Sequence, residues 1–93
     1  MVKITSEFGN LLMFKNDIKK LFEKKFDHLE FPFVIKDENL TLLINELNKI
    51  IDDFKKKKDD NLTISFQKYI PLLNLAIVCM ESSEHIRFDL LND

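Results

Sequence analysis

The chain has 93 residues, of which 45% are hydrophobic, with 9 Phe but only 1 Gly and 2 Pro. That composition suits one domain (residues 1–93) with enough apolar material for a core, and it excludes collagen-like, low-complexity and linker-rich organisation. Charged residues make up 32%, yet the net charge is -2, so no overall field points to nucleic acid or to a membrane surface.

In chain order, a short strand is expected near residues 2–6, a turn at Gly9-Asn10, and a second strand near 11–15. A helix is expected at about 16–28, with Ile18, Leu21, Phe22, Phe26 and Leu29 as its apolar stripe and Asn16 as N-cap. The alternative over residues 7–15 is that this helix is longer and starts near Glu7, because Phe8, Leu11 and Leu12 extend its apolar period. Phe31, Phe33 and Ile35 then alternate toward one side, and Pro32 cannot donate to a ladder, so this strand is either at a sheet edge or just beginning there.

The clearest element is a helix over 39–57. Leu40, Leu43, Ile44, Leu47, Ile50, Ile51 and Phe54 recur at three- and four-residue steps and form one stripe. Asp37 or Asn39 can cap its start, and Lys55 to Lys58 suit the negative end of its dipole before Asp59-Asp60-Asn61 stops it.

The last third reads as a three-strand meander. Leu62, Ile64 and Phe66 alternate with polar residues, as do Ile86, Phe88 and Leu90, while Leu73 to Met80 is apolar on both faces apart from Asn74. Pairing Phe66 with Leu75, Ile64 with Ile77, Cys79 with Ile86 and Ile77 with Phe88 puts the apolar sets on one face. The expected fold is therefore α+β: an antiparallel sheet with a C-terminal three-strand meander packed against two amphipathic helices.

This register leaves a second face of Thr63, Ser65, Gln67, Ala76, Val78, Met80, His85, Arg87 and Asp89. An apolar middle between polar rims suits a protein partner, unless further strands or a loop cover Ala76, Val78 and Met80. Ser65, Gln67, Val78, Met80, Glu84, His85, Arg87 and Asp89 are the candidate partner-binding residues.

Catalytic chemistry finds little footing. Cys79 is the only cysteine, cannot close an intramolecular disulfide, and lies in an apolar run that suits a small core residue better than a nucleophile. His85 beside Glu84, Arg87 and Asp89 could be drawn as an acid–base site, but solvated alternating strands look the same. His28 follows Asp27 at a helix end, where a cation suits the dipole. Asp52-Asp53 and Asp59-Asp60 read as a solvated face and a helix stop, and no metal-ligand spacing, glycine-rich phosphate loop or G-x-S-x-G elbow occurs. The expectation is no enzyme, no cofactor and no metal. The start Met1-Val2-Lys3-Ile4-Thr5 lacks an apolar signal region, and no stretch reaches the roughly 20 apolar residues of a membrane helix. A cytoplasmic protein is expected.

From Phe33 onward the chain resembles small bacterial immunity proteins that neutralise polymorphic or contact-dependent toxins. The resemblance lies in the order of a strand, the helix Leu40 to Ile51, the segment Asn61 to Phe66, and closing strands ending Ile86-Arg87-Phe88-Asp89-Leu90. It is one of element order and hydrophobic pattern and assigns no functional residues. It implies a cytoplasmic protein that binds one cognate toxin domain and blocks it. A phage-encoded anti-defence inhibitor is a related reading. A nucleic-acid regulator would use Lys15, Lys19, Lys20, Lys24, Lys25 and Lys55 to Lys58, although the last run is followed at once by two Asp and carries no Arg or aromatic. A homodimer pairing through the sheet is the third class.

Placing Val78 at the centre of the second face predicts that Val78→Glu leaves the protein folded and abolishes partner binding. Circular dichroism and a pull-down on the same variant check both halves. An unfolded variant would mean that Val78 is buried.

Overall fold

The computed structural model describes residues 1–22, 30–57 and 67–91. It contains strands β1 (Val2–Ser6), β2 (Gly9–Met13), β3 (Phe33–Ile35) and β4 (Ile86–Leu90), with helices α1 (Lys15–Phe22), α2 (Glu38–Lys57) and α3 (Ile70–Glu81). The fold is α+β as expected, but its sheet is built differently. The strand order is β2-β1-β4-β3 and every neighbouring pair is antiparallel.

The first two strands form a hairpin with Ser6 opposite Gly9, so the turn is at Glu7-Phe8 rather than Gly9-Asn10, and β2 starts and ends two residues earlier than expected. The Ser6 hydroxyl explains the shift. It accepts the Phe8 N–H at 3.1 Å and donates to the Gly9 carbonyl at 3.0 Å, closing the turn locally. Gly9 sits at φ +149° with nothing within 4 Å of a hypothetical Cβ, so its requirement is conformational rather than steric. The alternative helix from Glu7 is excluded.

Helix α1 opens one residue early, with the Phe14 carbonyl accepting the Asp17 and Ile18 N–H groups. Asn16 is therefore inside the first turn and is not the cap. Ile18, Leu21 and Phe22 are buried as the stripe requires; Phe26, Leu29 and the rest of the expected helix lie outside the described residues. Helix α2 matches its expected span to within one residue. Its first turn is closed by backbone, from the Leu40 N–H to the Asp37 carbonyl and from Asn39 to Lys36, each at 3.1 Å. Leu40, Leu43, Ile44, Leu47 and Ile51 are buried, and Ile50 and Phe54 pack against them.

The meander is overturned. Leu73 to Met80 is not a central strand but most of α3, so Leu75 and Ile77 cannot pair with Phe66 and Ile64, nor Cys79 and Ile77 with Ile86 and Phe88. Leu72, Ala76 and Cys79, the buried positions, are four and three residues apart, the period of a helix face. Pro71 belongs to the first turn of α3, where its missing N–H costs nothing, and not to a strand-connecting turn. An apolar run fits a doubly buried strand and a buried helix equally well, and the length of Leu73 to Met80 does not separate them; the structure extends the segment to a helix of 12 residues, Ile70–Glu81. The expected strand Leu62 to Phe66 lies outside the described residues.

With 73–80 gone, β4 takes the centre of the sheet. Ile4 and Phe33 flank Phe88 in register, and Ser6 and Ile35 flank Ile86. Both alternatives for β3 hold: it is an edge strand, and it begins directly after Pro32. Phe88 stacks on Phe33 with ring centroids 4.7 Å apart and planes 7° apart, and Phe22 meets both rings edge-on at 5.9 and 5.6 Å. One sheet face thus joins the helices in a single core of Val2, Ile4, Met13, Ile35, Ile86 and Phe88 with the stripes of α1, α2 and α3. No described helix is long and apolar enough to cross a membrane.

Leu47 is fully buried at the middle of the α2 stripe. Leu47→Ala is expected to cost about 2–5 kcal/mol in urea unfolding, the range for deleting a buried leucine side chain. A change under about 0.5 kcal/mol, as at surface sites, would contradict this packing.

Candidate protein-binding surface

The helices cover one side of the sheet, and the alternation of each strand sends the remaining side chains to the other. Lys3 and Thr5 from β1, Asn10 and Leu12 from β2, Val34 from β3, and Arg87 and Asp89 from β4 share that open face. The register arranges them in two rows. Leu12, Lys3 and Asp89 form one, and Asn10, Thr5, Arg87 and Val34 the other. Leu12 is 59% exposed and Val34 45%. A shallow depression of about 600 Å³ bordered by Lys3, Asn10, Leu12 and Leu91 lies on the β2 side.

Arg87 and Asp89 are two apart on β4, so their side chains project from the same face. The Arg87 Nε donates to both carboxylate oxygens of Asp89 at 3.1 and 3.0 Å. Lys3 is opposite Asp89 across the β1–β4 ladder. The face therefore has a charged, internally paired middle and apolar flanks, the inverse of the expected apolar middle with polar rims.

The expected site residues do not form one surface. Arg87 and Asp89 lie on the open face. Val78 and Met80 lie on the exposed side of α3, across the sheet from them, because residues expected on a strand are helical. Exposure of Val78 keeps the expectation that Val78→Glu folds, but Arg87 is not beside it to pair with a new carboxylate, and the expected loss of partner binding, which required Val78 to share a face with Arg87 and Asp89, does not carry over. Met80 Sδ accepts the Thr41 hydroxyl at 3.5 Å, linking α3 to α2. Glu84 and His85 form the connector from α3 to β4, with His85 exposed; Gln67 is exposed before α3. Ser65 lies outside the described residues, as do His28, Asp59, Asp60 and Lys58. Asp52 and Asp53 are exposed on α2, in keeping with a solvated face.

Lys3, Thr5, Asn10, Leu12 and Val34 were missed. The alternation of β1 was visible, but finding its outer residues needed the β1–β4 pairing, which joins opposite ends of the chain.

Two other groups are explained by packing. Cys79 is fully buried, and burial pushes its thiol up from the ordinary value, with Glu84 adding to the shift and a hydrogen bond with Ser6 opposing it. This is the small core residue anticipated. Tyr69, just before α3, is buried and its hydroxyl donates to the Asp17 backbone carbonyl at 3.2 Å. Lys68 pairs with the Asp17 carboxylate at 2.9 Å. Together they fasten α1 to the start of α3. Among the described residues no group of three or more His, Cys, Asp or Glu side chains could hold a metal ion.

The chain matches no protein-family profile, no curated protein and no solved structure.

Burial, reinforced by the Asp17 carboxylate, pushes the Tyr69 hydroxyl up from 10.0 to about 12. A raised acid favours the folded state while it is protonated, so this contribution is complete below pH 10 and is lost as pH rises toward about 12. Tyr69→Phe should cost about 0.5–1.5 kcal/mol at neutral pH through its lost hydrogen bond. The stability gap to wild type, measured by urea unfolding, should narrow across that alkaline window. A constant gap would contradict the assignment.

Proposed function

We propose that the protein is a non-enzymatic inhibitor that docks a protein partner on the open face of its sheet, and that the partner is a bacterial toxin domain. The supporting observation is the face itself: an Arg87–Asp89 ion pair, in which the Arg87 Nε–H is shared between both carboxylate oxygens, set between exposed Leu12 and Val34 on a four-strand platform. Arginine held by a neighbouring carboxylate is already ordered, so little side-chain entropy remains to be lost on docking. The apolar flanks give a partner surface to desolvate. The described buried residues include no charged side chain, which leaves the charged chemistry of these residues to the surface. The choice of a toxin domain rests on what remains of the resemblance from Phe33 onward, the order of β3, α2 and the closing strand β4, with α3 standing where a further closing strand was expected.

Co-expression with a toxin domain encoded beside the gene should restore growth, and Arg87→Glu should abolish that protection. The substitution places a carboxylate beside Asp89 in the middle of the face, where a docked partner would desolvate both at a cost of several kcal/mol. Circular dichroism should remain that of the wild type, because Arg87 is exposed. A folded Arg87→Glu that still protects would remove the open face as the docking site.

A further inference from the structure

The two edges of the sheet are not alike. β3 is only three residues long, with Pro32 just before it and Lys36 just after. These are ordinary defences of an edge, because short length, proline and charge each discourage another strand from pairing. β2 has none of them. Its outer edge has no partner among the described residues, and from Phe8 to Phe14 the chain reads Phe-Gly-Asn-Leu-Leu-Met-Phe, without a charge or a proline. Phe8, Leu12 and Phe14 are among the exposed large apolar side chains, Phe14 at 66%. Two apolar grooves, of about 280 and 330 Å³, open beside this edge, and Leu11 and Pro71 border both.

We propose that the occupant of this edge is β2 of a second copy, paired antiparallel about Leu11 to give a continuous eight-strand sheet with two-fold symmetry. The segment is complementary to itself in that register. Leu11 faces Leu11 of the other copy, Gly9 faces Met13 and Asn10 faces Leu12. Beyond the strand, Phe8 meets Phe14 and Glu7 meets Lys15, each twice by symmetry. Matching parity keeps the core side of both sheets on the same side, so both helix layers stay together. Phe14 of each copy comes to the groove bordered by Phe8, Leu75 and Val78 of the other, and Phe8 to the groove bordered by Phe14. The Asp17–Lys68 pair at that second groove is already satisfied at 2.9 Å and needs no partner. An arbitrary extended peptide would gain the same backbone bonds, but the flanking charges and aromatic pairs match this chain's own sequence.

Sedimentation equilibrium of the full chain, up to about 0.5 mM, tests this directly. A dimer is expected. Glu7→Lys or Lys15→Glu alone creates two like-charge pairs and should weaken it about tenfold. The double variant Glu7→Lys/Lys15→Glu restores opposite charges and should recover the wild-type dimer. Both positions lie outside the core, and Phe14→Asp gives a second disruption that does not depend on charge pairing. Circular dichroism confirms that each variant is folded. A monomer throughout would overturn the proposal. So would a dimer indifferent to all these changes, or one weakened by the single reversals and not restored by the double. A monomer that takes up a foreign extended peptide at this edge would replace the second copy with a different partner.

Discussion

The structure depends on β4 being hydrogen-bonded along both of its sides. Its five residues join an N-terminal hairpin, which would otherwise be an isolated two-strand ribbon, to β3, which at three residues could not persist alone. Phe88 in its middle couples these ladders to the helical layer, since the ring that stacks on Phe33 also meets Phe22 of α1. The pairing of Val2 with Leu90 brings residues from opposite ends of the chain together. Such non-local closure carries a large entropic cost before any contact rewards it, and it is expected to slow folding relative to a helical bundle of this size.

That architecture separates what could be read locally from what could not. The stripe of α2 was legible because polar residues interrupt it at the right intervals. The alternation of Ile86, Phe88 and Leu90 was legible for the same reason. The segment Leu73 to Met80 has almost no polar residues to mark a period, so its helical state is decided by tertiary burial and by Pro71 at its start. Once α3 was mistaken for a strand, it supplied a false neighbour for β4 and displaced β1. The candidate surface failed along the same line. Arg87 and Asp89 were placed on an outward face because strand parity alone decides that. Val78 and Met80 were grouped with them only through the incorrect pairing. Lys3 and Thr5 could not be joined to Arg87 and Asp89 without knowing that the ends of the chain meet.

The two layers carry different physical tasks. The helical side supplies burial, with α2 and α3 packed together over the apolar face and Tyr69 tying α3 back to α1 through the Asp17 carbonyl. The uncovered side carries charge held in fixed geometry. A strand fixes the separation and direction of side chains two apart more firmly than a loop does. The Arg87–Asp89 pair is thus oriented by the same ladders that hold the core together, and stability and surface geometry are coupled through β4.

Leu91 donates its N–H to the Met1 carbonyl at 3.0 Å, so residues 1 and 91 lie side by side beside the paired central strands β1 and β4. A short engineered link from residue 91 back to residue 1 would close this stretch of chain into a ring. The ring could then be reopened at an exposed turn such as Glu7-Phe8, giving a circular permutant in which β1 follows directly from β4. In that arrangement the most distant pairing in the sequence becomes a local hairpin. The native contacts are unchanged, while the order in which the chain can form them is reversed.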